Sequence, residues 1–252
     1  MRKTLVIIAF SLFIWGCGSS VDTSNYTPSE RLAYAEKLYN DEDYFDAVQE
    51  FQSIILQYPG NPVVEDAQYY LAESRYQRGE YILGAYEFSK LIKTMPASKF
   101  VPKAQFMLAE CYYQLSPDYR LDQKYTKKSI EEFQAFIDFF PTNEKVKEAE
   151  KKISELNDKL AHKEYNTADL YEIMGDNRSA LIYYEKVIDD YHDTPYAPTA
   201  MYDKINLLVS VNKNNEALQE ISKFLERYPD NDRIKELEKL KASIEVKLSS
   251  SK

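Results

Sequence analysis

A helical pattern of apolar positions recurs five times along the chain. Each copy starts at a small residue and places large, mostly apolar residues four, seven, eight and eleven positions later, which is one face of an α-helix. The five small residues are Ala47, Gly84, Ser129, Ala180 and Ala217. A proline directly follows the last apolar position in four copies, as Pro59, Pro96, Pro141 and Pro229, and is delayed to Pro195 in the other. Because proline ends a helix, five helices of this class are predicted.

A second class of helix precedes the first. Segments 35–40, 72–77 and 109–114 each begin with Ala-Glu, carry tyrosine at the fifth position and lie 37 residues apart. Later helices of this class are predicted at about 163–174 and 196–211, and short turns join the paired helices. The small residue lets the two helices of a hairpin approach closely. This pattern is typical of the tetratricopeptide repeat, with a period of about 34 residues, and predicts an all-α solenoid of about five helical hairpins.

The same pattern predicts the order of segments. Residues 28–141 hold hairpins one to three, 142–162 a charged linker helix, 163–229 hairpins four and five, and 230–252 a capping helix and tail. Thr27 and Glu30 form a capping box around Pro28, which predicts the first helix start. Extra length at 116–123 predicts a loop in the third hairpin.

The N-terminus predicts export from the cytoplasm. Arg2 and Lys3 precede an apolar run at 4–15 and the pair Gly16-Cys17, as in a secretory signal peptide ending at residue 16. The run is shorter than the roughly 20 residues that span a bilayer as a helix. Residues 14–17 resemble the bacterial lipobox, although Trp15 replaces the usual small residue, so we expect a covalent lipid on Cys17 and a flexible tether at 17–27. The alternative is that Cys17 is an ordinary thiol.

Composition and net charge argue against several classes of function. After removal of the signal peptide, 30 basic residues face 41 acidic ones, a net charge of −11, which argues against nucleic acid as the main partner. His162 and His192, each expected to be a solvated residue near a helix end, are too few for a histidine metal site. The chain has no glycine-rich phosphate loop. A scaffold with no cofactor besides the lipid, and not an enzyme, is therefore predicted, with Cys111 a small buried residue.

The whole mature part of the sequence resembles the BamD family, lipoproteins of the outer-membrane β-barrel assembly machine. The resemblance is carried by the lipobox, by hairpins that end in Tyr58-Pro59 and Phe140-Pro141, and by segments 121–141, 149–153 and 159–165. It implies an outer-membrane lipoprotein that faces the periplasm. In this family the C-terminal repeats dock on the periplasmic repeats of BamA, and the N-terminal repeats form a groove for unfolded outer-membrane barrel proteins. Gly18, in place of aspartate, agrees with outer-membrane sorting.

Candidate groove residues follow from the repeat register, because first helices of such hairpins line the concave side. Two apolar stripes and a row of amides beside them suit an extended peptide with an aromatic end. The candidates are Leu32, Tyr69 and Phe106 in the first stripe, Tyr39, Tyr76 and Tyr113 in the second, and Asn40, Gln77 and Gln114 beside it. The alternative is that the tyrosines only pack between hairpins. Glu36, Glu73 and Glu110 form a further row that is expected to be solvated.

Two rival interpretations remain open. One is another repeat lipoprotein, such as a coordinator of the cell envelope or a subunit of a nutrient-import complex. The other is a lipoprotein enzyme, which would need a convergent polar pocket, and the sequence shows no trace of one.

Overall fold

The computed structural model describes residues 23–250, which form eleven α-helices and no strand. The predicted signal segment and the candidate lipidation site Cys17 lie outside these residues. The helices are α1 (Pro28–Asn40), α2 (Tyr44–Gln57), α3 (Val63–Gln77), α4 (Tyr81–Thr94), α5 (Val101–Leu115), α6 (Lys124–Phe139), α7 (Val146–Ile173), α8 (Asn177–Asp190), α9 (Tyr196–Ser210), α10 (Asn214–Arg227) and α11 (Ile234–Ser250). Across residues 23–250, no helix has the length and apolar character needed to cross a membrane.

The start of α1 follows from its capping residues. The Glu30 backbone amide donates to Thr27 Oγ1 at 3.3 Å, and the Thr27 amide donates to Glu30 Oε2 at 2.8 Å. Pro28 occupies the first turn, where a missing amide costs no intrahelical hydrogen bond. The predicted capping box is confirmed.

The described residues divide into two compact units, with the boundary between Leu71 and Ala72. In the first, α1 packs against α2 around a core that includes Ala35, Phe51 and Ile54. In the second, each helix from α4 to α11 packs against the next, and α7 also contacts α9. Because neighbours in sequence are neighbours in space within each unit, the all-α tetratricopeptide class of fold is confirmed.

The repeat register is confirmed by burial. The five small residues of the pattern are all buried, and so are the large residues four and seven positions later. The residues four positions later, none more than 1% exposed, are Phe51, Phe88, Phe133, Tyr184 and Ile221. At the third small residue, Ser129 Oγ donates to the Ala109 carbonyl at 3.0 Å, so its buried hydroxyl is satisfied.

Four of the hairpins share one turn geometry. Each first helix is followed by a residue with positive φ, namely Glu42, Gly79, Gly175 or Asn212. One residue further on, a backbone amide donates to a carbonyl five residues back, as from Asp176 to Tyr171 at 2.9 Å. This bond is the mark of a Schellman helix end, in which the left-handed residue satisfies carbonyls that the helix leaves open. The third hairpin has instead the predicted loop, between α5 and α6.

One expectation for the middle of the chain is wrong. The predicted linker helix and the first helix of the fourth hairpin are a single helix, α7, of 28 residues. No proline or glycine interrupts this segment, and Ala149, Leu156, Leu160 and Ala168 are buried along it. Continuous apolar spacing with no helix breaker leaves no reason for the helix to end near residue 162.

The two histidines differ in environment. His192 is exposed, as expected. His162 lies in the interior of α7 and is half-buried, so its expected place near a helix end is wrong. Its imidazole lies between two tyrosine rings. The ring centroids are 3.9 Å apart for Tyr119 of the loop and 5.0 Å apart for Tyr196 of α9. The continuity of α7 brings these two rings to His162.

Candidate binding surfaces

The first predicted stripe faces the cores of the hairpins. Leu32 packs against the core of the first unit, and Tyr69, at 9% exposed, is buried. Phe106 is 6% exposed, with ring centroids 5.4 Å from those of Phe133 and Phe136. Leu32 is half-buried, whereas Tyr69 and Phe106 are buried, the latter against the partner helix α6. They leave little ring surface for a ligand.

The second stripe and its amides are more accessible. Tyr39, Tyr76 and Tyr113 are half-buried, and the Tyr39 ring lies 5.5 Å from Tyr44 and 5.3 Å from Tyr70. The three predicted amide residues are exposed: Asn40, Gln77 and Gln114. A carboxamide offers both a donor and an acceptor, as an extended peptide backbone requires. Peptide binding by these residues stays a prediction.

In the second unit, the second stripe borders a charged cluster centred on Glu110. Glu110 Oε1 accepts hydrogen bonds from Gln114 Nε2 at 2.9 Å and from Tyr76 Oη at 3.4 Å. Its Oε2 lies 2.9 Å from Lys152 Nζ of α7, an ion pair without hydrogen-bond geometry. Lys152 Nζ also lies 4.0 Å from the centroid of the Tyr113 ring. Four side chains from α3, α5 and α7 thus surround one buried carboxylate.

The cluster contradicts the expectation of a solvated row of glutamates. Glu73 and Glu110 are each 7% exposed, and Glu36 is half-buried. Each follows an alanine at the helix contact, so its side chain starts at the edge of the core. The repeated Ala-Glu pair was a sequence signal for this position, whereas nothing in the spacing could pair Glu110 with Lys152, 42 residues away.

The ionisable groups of the cluster respond to burial and to the carboxylates. Tyr113 Oη donates a hydrogen bond to Glu155 Oε2 at 2.7 Å, and this bond raises the pKa of Tyr113 to about 12. Burial of the phenol is the second cause of the increase. Burial, followed by the charge of Glu110, raises the pKa of Tyr76. Burial also raises the pKa of Cys111, which is fully buried, as predicted. Both phenols therefore remain neutral hydrogen-bond donors at physiological pH.

A second surface lies on the C-terminal hairpins. A groove of about 710 Å³ is bounded by α8, α9 and the start of α10. Leu181, Ile182, Leu208 and Val211 give it an apolar lining. Lys204, 8% exposed, lines the groove and pairs with Glu185 and with Glu220, the latter at 3.0 Å. Because the buried ammonium is compensated, the groove offers mainly apolar surface.

The turn between α7 and α8 is also apolar. Leu170, Ile173 and Met174 are 55%, 75% and 69% exposed. Ile182, one of the groove residues, is 58% exposed. These four large apolar side chains lie on one hairpin, which makes it a candidate surface for a protein partner.

The described residues show no metal centre. Within residues 23–250, no group of three or more histidine, cysteine, aspartate and glutamate side chains is placed to hold a metal ion. The polar clusters described above are paired internally.

Comparison with known proteins decides the family. Residues 25–212 match the family described as YfiO, outer membrane lipoprotein. The chain belongs to this family. The match runs from the residues just before α1 to the turn after α9, and so includes the Glu110 cluster and nearly all of the C-terminal groove. The predicted resemblance is confirmed.

One relative and two solved structures are similar to most of the chain. The outer membrane protein assembly factor BamD of Rickettsia prowazekii (strain Madrid E) is 27% identical over 226 residues, 89% of this chain and 90% of that protein. The complex of the yeast Sti1 TPR2AB domain with pHSP90 has a TM-score of 0.44 at 16% identity, covering 88% of this chain and 84% of that one. The thermophilic TPR protein TTC0263 of Thermus thermophilus has a TM-score of 0.36 at 19% identity, covering 87% and 100%.

Proposed function

We propose that this chain is an outer-membrane lipoprotein scaffold of the β-barrel assembly machine, held at the periplasmic side by a lipid on Cys17. The observation that carries the proposal is the similarity to the Rickettsia assembly factor, which covers nine-tenths of both chains. The fold supports it, because helical hairpins that pack in succession present long surfaces to other proteins. The role is binding and positioning, with no catalytic step and no cofactor.

The C-terminal half binds the periplasmic repeats of the barrel-forming subunit BamA. The support for this assignment is the apolar surface formed by the groove and the α7–α8 turn. Apolar side chains such as Ile173 and Met174 lose contact with water only when a partner covers them. Methionine adapts its shape to a partner surface.

The N-terminal half binds unfolded barrel proteins. The exposed amides Asn40, Gln77 and Gln114 support this assignment, because an extended chain has unpaired backbone donors and acceptors. The half-buried tyrosines beside them supply apolar surface for a terminal aromatic side chain.

Isolation of the complex tests the proposal as a whole. The full-length lipoprotein carries a C-terminal tag and is purified from detergent-solubilised membranes of its own organism. We expect a barrel protein with periplasmic repeats to copurify in constant ratio. Recovery of the chain with no such barrel protein would contradict the proposal.

Two sets of variants test the two surfaces. Ile173→Glu with Met174→Glu should remove copurification of BamA, whereas Val246→Glu, an exposed apolar position on α11, should not. Alanine at Asn40, Gln77 and Gln114 should weaken binding of a labelled C-terminal peptide of a barrel protein in fluorescence anisotropy. Alanine at Asn215 and Gln219, two exposed amides of α10, serves as the control. Equal affinities for the two alanine variants would reject the amide row as a ligand surface.

A further inference from the structure

A basic pocket lies where the loop of the third hairpin meets α7. Its volume is about 320 Å³, and its lining includes Arg120, Leu121, Lys124, Lys127, Leu160 and Lys163. Four cations thus line one concavity of a chain whose net charge is −9. We call it the Lys127 pocket.

Two carboxylates, Asp122 and Glu164, also line the pocket. Asp122 Oδ1 accepts a hydrogen bond from the Lys124 backbone amide at 3.0 Å. Glu164 Oε1 lies 2.8 Å from Lys186 Nζ. Lys124 and Lys127 are exposed, and in the part of the chain that the structure describes neither forms an ion pair. A backbone hydrogen bond leaves the charge of Asp122 in place, so four cations face the charges of Asp122 and Glu164, and the pocket keeps a net positive charge.

The rim of the pocket is preorganised. Lys163 Nζ donates to the backbone carbonyls of Tyr119 at 3.2 Å, Arg120 at 3.4 Å and Leu121 at 2.9 Å. Gln123, itself 5% exposed, donates from Nε2 to the carbonyls of Asp118 and Leu121 at 2.8 Å and 3.0 Å. A loop held by these bonds loses little further conformational entropy when a ligand binds it.

The pocket and the apolar surface at the end of α7 lie on one face of this helix. Lys163 and Leu170 are seven residues apart on this helix, so they lie on the same helix face, about 10 Å apart along the axis. A partner seated on Leu170 and the α7–α8 turn is within reach of the pocket.

We propose that the Lys127 pocket binds an acidic segment of the barrel-forming subunit, as an electrostatic extension of its apolar docking surface. This inference rests on the proposed function. An anionic membrane is the other source of negative charge, but lipid-binding patches typically gather about four to eight free Lys and Arg on an open surface. Here two free lysines and Arg120, which lies 4.0 Å from Asp118, surround a concavity. That arrangement fits carboxylates projecting from a protein.

Charge reversal tests the inference. The variant Lys124→Glu, Lys127→Glu is compared with Lys103→Glu, Lys147→Glu, which makes the same charge change at exposed lysines outside the pocket. The mature chain without lipid is titrated, over a series of salt concentrations, against the purified periplasmic repeats of the barrel-forming subunit of the same organism. We expect the pocket variant to bind about tenfold more weakly at low salt and to show a shallower salt dependence, because charges at an interface rim act mainly on association. The affinity of the control variant should remain within about twofold of that of the parent chain, because its charge changes lie outside the pocket and salt screens the effect of overall charge.

The outcomes separate the inference from the proposed function. If the parent chain binds the repeats and the two variants have equal affinities, the inference is wrong and the proposed function stands. If the parent chain does not bind the repeats at any salt concentration, both are wrong. A parallel sedimentation assay uses vesicles of phosphatidylethanolamine with phosphatidylglycerol. Loss of vesicle binding by the pocket variant, with affinity for the repeats unchanged, would assign the pocket to lipid and overturn the inference.

Discussion

Gly84 of α4 lies at a close crossing of three helices. A Cβ placed on it would lie 3.2 Å from Cys111 Sγ of α5 and 3.5 Å from both the Ala72 carbonyl oxygen and the Tyr76 amide nitrogen of α3. The first distance is shorter than an ordinary carbon–sulfur contact, and the other two involve backbone atoms, which cannot rotate away. Valine at this position adds two further methyl groups to the same space.

Two opposing effects set the change in the free energy of unfolding that Gly84→Val should cause. Overpacking a well-filled core typically costs about 1–3 kcal/mol. Replacing a glycine inside a helix stabilises the helix by about 0.5 kcal/mol when the new residue is valine and by about 1 kcal/mol when it is alanine. We therefore expect Gly84→Val to lower the free energy of unfolding by about 1–2 kcal/mol, which for a chain of this size lowers Tm by about 2–8 °C. Gly84→Ala should remain within about 1 kcal/mol of the parent protein, because its one methyl group needs only a small shift of Cys111.

The measurement is urea denaturation and thermal unfolding of the mature chain, followed by circular dichroism at 222 nm. Leu83→Val, an exposed position on the same helix, controls for the lower helix propensity of a β-branched residue. Cys111→Ala removes the sulfur atom that the new side chain meets. In that background the cost of Gly84→Val should fall by about 1 kcal/mol, as expected for residues in contact.

Two results would refute this reasoning. A Gly84→Val protein as stable as the parent would show that α4 does not need a small residue at this crossing. An equal cost with and without Cys111 would show that the sulfur contact does not set the cost.

Two further predictions concern charged side chains. Lys152→Ala should lower the free energy of unfolding in urea by about 3 kcal/mol, because it leaves the Glu110 carboxylate buried without its ion-pair partner, whereas Lys152→Met with Glu110→Gln should recover most of the loss. An unchanged midpoint for Lys152→Ala would argue against the pair. Glu220→Gln tests pH dependence: burial acts to raise the pKa of Glu220, but its hydrogen bonds and charge pairs with Lys223 and Lys204 outweigh burial and hold that pKa below its ordinary value. A carboxyl whose pKa is lowered in the folded state stabilises the fold fully above its unfolded pKa and loses this contribution as pH falls through the folded pKa. The free energy of unfolding that Glu220→Gln loses relative to the parent chain should therefore be largest at pH 7 and become smaller in acid. A deficit that is constant with pH would contradict the assignment.

The periodicity of apolar residues determined most of the helices. The spacing of four and seven from Ala47, Gly84 and their equivalents marked side chains that are all buried, since one helix face must pack in any hairpin. The capping box at Thr27 and the prolines fixed several helix ends, because their effects on the backbone are local. The family resemblance was also legible, because a series of repeats with a lipobox is a pattern in sequence alone.

Only the tertiary structure decided which polar groups meet. Glu110 with Lys152, His162 between two tyrosines, and Lys163 on three loop carbonyls all join residues more than thirty positions apart, and no helical period relates them. Glu110, which was expected in solvent, has an ion-pair partner because the continuous α7 brings Lys152 against α5. Whether a helix face is covered depends on the neighbour that packs on it, and that contact is long-range. The sequence therefore determined the hairpins, and packing between hairpins determined the surfaces left for partners.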